Sequence, residues 1–136
     1  MSYIKIFCDG SYHSKSRYAR WAVVVVQNEE IIEADFGYID PSKRNSVELV
    51  ESVAIWKACQ YCKEHKGNYI IYSDSKSAVN KINSNCNNCS GNRYIKGIQN
   101  IISEYNGSIE PISISLRYKK RCSDKFMIMV DELSRV

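Results

Sequence analysis

The sequence predicts an α/β fold: a five-stranded mixed sheet, three antiparallel strands followed by two parallel ones, flanked by helices. Three observations carry this. Apolar residues alternate over residues 3–8, and a β-branched run occupies residues 21–27, both in the manner of strands. The period then changes, with apolar residues at 47, 50, 54, 58 and 61 marking one face of an amphipathic helix. Beyond it, short apolar runs alternate with helical patterns, as parallel strands joined by helical crossovers require.

The elements follow in order. Residues 31–39 form a third strand, and the polar Gln27-Asn28-Glu29-Glu30 before it fits a hairpin turn. The long helix covers residues 46–62. Residues 69–73 make a short buried strand and residues 76–82 a helix. Ile95, Ile98, Ile101, Ile102 and Tyr105 mark a further helix, Ile112, Ile114 and Leu116 the fifth strand, and residues 127–135 a closing helix. The stretch 83–92, rich in Asn, Ser and Cys, reads as a connection.

Composition bounds the function. The 136 residues suit one domain spanning 1–136, and 44% hydrophobic with 25% charged residues are globular values. The longest apolar run, residues 22–26, is far too short to cross a membrane. The opening residues alternate and reach Asp9, unlike a secretory leader, so a cytoplasmic or nuclear compartment is expected, with cysteines as thiols or metal ligands. Nineteen Lys and Arg against fifteen Asp and Glu give +4, which permits a nucleic-acid partner without demanding one. A monomer with no membrane association is expected.

Four carboxylates sit where chemistry is usually built. Asp9 is expected at the end of the first strand and Asp74 at the end of the fourth, where the carboxyl ends of neighbouring parallel strands form a site. Glu48 falls in the first turn of the long helix and Asp131 in the last helix. Taken singly, each has an ordinary explanation: a turn at Asp9-Gly10, a helix cap at Asp74, solvated helix charges at the other two. Converging, they repel unless cations compensate, and Mg²⁺ prefers such oxygen ligands. Serine chemistry at Ser11, Ser73 or Ser75 is a weak alternative.

The segments Ile6-Phe7-Cys8-Asp9-Gly10-Ser11, Asn45-Ser-Val-Glu48-Leu49, Tyr72-Ser73-Asp74-Ser75 and Asp131-Glu132-Leu133-Ser134 together resemble type 1 ribonuclease H, in that family's order and spacing and over nearly the whole chain. The resemblance implies the ribonuclease H-like sheet and a catalytic, metal-binding tetrad of Asp9, Glu48, Asp74 and Asp131. It also implies two Mg²⁺ ions, with Mn²⁺ as substitute, and an RNA–DNA hybrid as partner. The expected reaction is endonucleolytic hydrolysis of the hybrid's RNA strand to 5′-phosphate and 3′-hydroxyl ends. Other nucleases of the fold, such as a junction resolvase or a retroelement-derived domain, and a non-catalytic nucleic-acid-binding module, are the alternatives.

The sequence departs from the family's pattern in several places. Residues 117–126 lack the histidine that many members carry before the last helix, and Ile128 stands where Asn is common. Residues 12–20 replace a glycine-rich loop, and Arg44, beside Asn45, replaces a minor-groove Asn. The connection 83–92 has no Lys or Arg, so the basic protrusion of several members is missing and binding should be strongly salt-dependent.

Basic residues concentrate at Lys15/Arg17/Arg20, Lys43/Arg44 and Lys119/Lys120/Arg121/Lys125, expected to flank the carboxylates. Of these, Arg44, Lys119, Lys120 and Arg121, together with the small polar Ser11 and Asn45, are the candidate substrate contacts. Two Cys-x-x-Cys pairs, Cys59/Cys62 and Cys86/Cys89, supply the four thiols that a structural zinc site needs, although helical cysteines more often pack as small apolar residues.

Overall fold

The computed structural model describes residues 3–40, 46–84 and 92–135. Its element order is β1 (Ile4–His13), β2 (Tyr18–Gln27), β3 (Glu30–Ile39), α1 (Val47–Glu64), β4 (Asn68–Ser73), α2 (Lys76–Asn83), α3 (Arg93–Asn106), β5 (Ser113–Tyr118) and α4 (Lys125–Ser134). The sheet runs β3-β2-β1-β4-β5. β1, β2 and β3 form an antiparallel meander, and β4 and β5 add in parallel beside β1. The expected fold class is the observed one.

Alternation in β1 assigns the two faces. Ile6 and Cys8 enter the larger core, shared with Ala54, Ile55 and Ala58 of α1 and Ile95 and Ile98 of α3. Phe7 turns the other way, into a smaller core closed by Phe126, Met127 and Val130 of α4 over Ala22, Val24 and Val26. Helices thus cover both faces of β1, with α4 reaching across to β2. Among the described residues no helix is long and apolar enough to cross a membrane.

The turns follow from backbone chemistry. Asn28 and Glu29 both take positive φ, 54° and 64°, the pair of left-handed residues that a two-residue hairpin loop needs. The first hairpin corrects one expectation. Asp9 does not end its strand, because β1 continues to His13 and pairs Ser11, Tyr12 and His13 with Arg20, Ala19 and Tyr18. Only residues 14–17 form the turn, with Arg17 at φ 61°. Apart from the buried Ala19, this part of the hairpin is made of polar and aromatic residues, so it carries no hydrophobic period to read.

Gly10 sets how closely α1 lies on the sheet. A Cβ at this position would sit 2.6 Å from the Val50 carbonyl oxygen of α1, a backbone atom that cannot move without displacing the helix. Gly97, inside α3, has open space around it. Gly10→Ala is therefore expected to lower unfolding free energy by about 2 kcal/mol or more through overpacking. Gly97→Ala should be neutral or raise it by up to ~1 kcal/mol through helix propensity. Urea denaturation of the two variants checks the contrast; equal effects would contradict it.

Candidate active site

β1 and β4 are parallel neighbours with Cys8 opposite Ser73, so the next residue on each strand, Asp9 and Asp74, comes to the same end of the sheet. Ser75, rather than Asp74, caps α2, its side chain accepting from the Ala78 N–H. Asp74 is thereby left to the cleft. The third member comes from α1. Ser46 is the N-cap, accepting from the Leu49 N–H at 3.2 Å, and this fixes the helical register. Glu51 then lies one turn into the helix, on the same stripe as Ala54 and Ala58. The Gly10 N–H donates to Glu51 Oε1 at 2.5 Å and to Asp9 Oδ1 at 2.9 Å. Ligand oxygens of Asp9, Glu51 and Asp74 all lie within 4.8 Å of one another.

Asp131 of α4 lines the same cleft of about 420 Å³, with Ser11, Ser75, Arg121, Ser134 and Arg135. Ser134 Oγ donates to Asp9 Oδ2 at 3.1 Å and ties α4 to β1. Asp131 is held by two cations, Arg135 at 2.7 Å and Arg121 at 3.2 Å.

The electrostatics divide the carboxylates. Burial pushes Asp9 up to about 7, with the charges of Asp74 and Asp131 adding to the rise. Burial also pushes Glu51 well above the usual carboxylate range, reinforced by its contacts with Asp74 and Asp9. For Asp131, burial would raise the carboxyl, but Arg135 and Arg121 outweigh it and hold it below its ordinary value. The centre of the cleft thus carries desolvated acid groups short of positive charge, while the rim is neutralised. Clustered oxygen donors in this state fit a hard divalent cation, which would return them to the charged form.

The expected site changes in one member. Glu48 does not join the cluster; Glu51, three residues on, does. At the second helical position Glu48 points along the helix flank. There it accepts from Lys81 Nζ at 2.7 Å, Ser77 Oγ at 2.6 Å and Asn92 Nδ2 at 3.0 Å. Burial would raise its carboxyl, yet these partners overcome it and hold Glu48 at about 2. Glu48 is a tie between α1, α2 and the cap of α3. The signal for Glu51 was present in its spacing from Ala54 and Ala58, which puts it on the buried face.

The other candidates fall in different places. Ser11 and Arg121 line the cleft. Lys119 pairs with Asp124 at 2.7 Å and lies over the Tyr72 ring, and Lys120 is exposed. Arg44, Asn45, Cys86 and Cys89 lie outside the described residues. Cys59 and Cys62 are fully buried in the larger core, and burial pushes the Cys59 thiol up to about 12 and raises that of Cys62. Both pack as small apolar residues of that core.

Residues 1–120 match the model of the RNase H family, a span that ends before α4. No curated protein matches the chain. Among solved structures, RNase H1 from the halophilic archaeon Halobacterium salinarum NRC-1 is 13% identical with a TM-score of 0.71, over 88% of this chain and 87% of that one. LC11-RNase H1, isolated from compost by a metagenomic approach and crystallised with an RNA/DNA hybrid, is 15% identical with a TM-score of 0.75, over 96% and 92%. A foamy viral protease-reverse transcriptase is 12% identical with a TM-score of 0.74, over 96% of this chain but 19% of that one. At these identities the likeness is one of fold.

The raised carboxyls make stability depend on pH with a definite sign. Between its ordinary 3.8 and about 7, Asp9 keeps its proton in the folded protein but loses it in the unfolded chain. Stability of the metal-free protein should therefore fall as pH rises through that window. Glu48 acts oppositely, its contribution being lost as pH falls from 4.5 towards about 2. Thermal unfolding in chelator should show melting temperature declining by several degrees from about pH 4 to pH 7, and millimolar Mg²⁺ or Mn²⁺ should offset the decline. A flat profile over that range, unresponsive to metal, would contradict the assignment.

Proposed function

The chain belongs to the RNase H family, as a type 1 ribonuclease H-like domain, and from that premise we propose that it is a metal-dependent endoribonuclease. Its reaction is hydrolysis of the RNA strand of RNA–DNA hybrids, leaving 5′-phosphate and 3′-hydroxyl ends. The observation that supports this best is the convergence of Asp9, Glu51 and Asp74, from three separate elements, within 4.8 Å in an open cleft. The hybrid bound in the LC11-RNase H1 crystal structure supports the choice of substrate.

Asp9, Glu51 and Asp74, with Asp131 at the rim, would hold the divalent ions, with Mg²⁺ favoured and Mn²⁺ as substitute. When bound, such ions lower the pKa of a water and stabilise charge on the phosphate. The protein's own groups do the rest. Gly10 N–H and Ser134 Oγ fix the orientation of the Asp9 and Glu51 carboxylates. Arg121 and Arg135, both lining the cleft beside Asp131, can turn towards a phosphate and set its position. The attacking group is water. No histidine lines the cleft, Ser75 Oγ is used as a helix cap, and Ser134 Oγ donates to Asp9. Among the described residues no hydroxyl of the cleft stands beside a His or Lys base that would prepare it as a nucleophile.

Cleavage of labelled RNA–DNA hybrid, RNA duplex, DNA duplex and four-way junction, with Mg²⁺, Mn²⁺ or EDTA, tests the reading. Metal-dependent cutting of the hybrid's RNA strand is expected, and junction cutting alone would overturn it. Glu51→Gln should lower kcat by at least about 100-fold, a loss on the scale of other electrostatic stabilisers of the transition state. Glu48→Gln should retain the rate within about tenfold and instead lower the melting temperature. The reverse ranking would restore Glu48 to the site. Cys122, with Sγ 3.9 Å from Asp131 Oδ2, stands where a titrating side chain would reach the cleft. Cys122→His should raise kcat several-fold near pH 7, and no rise would show that proton transfer there is not limiting.

A further inference from the structure

Next to the acid cleft, the α4 side of the sheet carries an aromatic and cationic face that catalysis by the carboxylates does not use. Directly opposed residues of antiparallel strands share a face. Ser11, Arg20 and Tyr38 therefore form one row across β1, β2 and β3, and Asp9, Ala22 and Phe36 form the next. α4 covers Ala22 and Val24 but ends at Ser134, and beyond it Phe36, Tyr18 and Tyr38 are 43%, 50% and 61% exposed. The Arg20 guanidinium lies 3.6 Å from the Phe36 ring centroid and 5.4 Å from that of Tyr38, and Tyr18 meets Tyr38 edge-on at 6.4 Å. Arg20 Nη1 donates to the Arg135 carbonyl at 3.2 Å, while its Nε has no hydrogen-bond partner among the described residues.

Charge is segregated around this face. Glu33 and Asp35 of β3 oppose Val25 and Val23, which enter the core beneath α1, so both carboxylates point to the other side of the sheet. Lys15 and Arg17 stand exposed in the adjoining hairpin turn. A second copy of the chain would bring these same cations against one another. A flexible polyanion of flat rings meets both properties at once, because bases stack on aromatic side chains and phosphates pair with the basic groups.

We propose that Tyr18, Arg20, Phe36 and Tyr38 form a stacking platform for an unpaired nucleic-acid strand leaving the duplex held at the acid cleft. The platform begins in the Asp9 row, two strand spacings or about 10 Å from Phe36, so a strand passing the carboxylates reaches it directly. The inference rests on the hybrid-hydrolase reading and deepens it: substrates with a single-stranded flank would be preferred over blunt hybrids.

Fluorescence anisotropy in EDTA tests this, comparing a short blunt RNA–DNA hybrid with the same hybrid bearing an unpaired tail, as RNA or DNA and at either end. At least one tail should tighten binding about tenfold, within the range of one stacked base. The double variant Phe36→Ser/Tyr38→Ser, altered only at exposed positions, should lose that gain while keeping the affinity for blunt hybrid and its cleavage. Arg20→Gln should lose part of it. No gain from any tail, or a gain that survives the double variant, would overturn the platform. So would a wild-type dimer, seen by sedimentation, that the double variant dissociates, since a second copy would then cover the face. If blunt hybrid is neither bound nor cut but a single strand binds through Phe36 and Tyr38, the hydrolase reading fails and the platform stands.

Discussion

The close approach of α1 to β1 at Gly10 is the constraint on which the remaining geometry depends. Ser46 caps the helix and sets its register, and the absent side chain at residue 10 lets the Val50 carbonyl come within contact of the strand. Only then does the Glu51 carboxylate reach the Gly10 N–H and the Asp9 side chain. The parallel pairing of β1 with β4 brings Asp74 to the same point. Asp131 arrives separately, through the packing of Phe126, Met127 and Val130 on the opposite face and the Ser134 bond to Asp9. A site assembled from both faces of the sheet forms only when both cores have closed.

Such a site opposes the stability of the fold that holds it. Two buried carboxyls with a third beside them are a strain that core packing has to offset, and the raised values at Asp9 and Glu51 express it. The rim has a different solution, in which Arg121 and Arg135 neutralise Asp131 from within the chain. Glu48 has another, with Lys81 beside it and hydroxyl and amide donors around it. The contrast separates groups that the fold has satisfied from groups whose missing charge comes from outside, and the latter are those suited to an external cation.

Much of this was legible in the amino-acid sequence. The alternation at residues 3–8, the β-branched run at 21–27 and the helical stripe from residue 47 correspond to β1, β2 and α1 because each buries one continuous face. Asp9 and Asp74 could be paired from topology alone. Glu48 could not be separated from Glu51 by motif likeness, since both are acidic residues in the first turns of one helix. The distinction lies in which residue caps the helix and which shares the face of Ala54 and Ala58. The extension of β1 to His13 and the start of β2 at Tyr18 were also hidden, because the residues there are largely polar and aromatic and show no apolar alternation. The zinc expectation fails to gain support for a related reason. The spacing of Cys59 and Cys62 is equally that of a buried helical stripe, and burial is what the fold gives them.

The assignment of Glu51 to the cation site is the claim that most directly separates this account from one based on motif likeness. Anomalous scattering from crystals soaked in Mn²⁺ would locate the bound ions without reference to activity. Density among Asp9, Glu51 and Asp74, with Glu48 still bound to Lys81, is the predicted result. Density ligated by Glu48, with Glu51 turned away from Asp9, would contradict it.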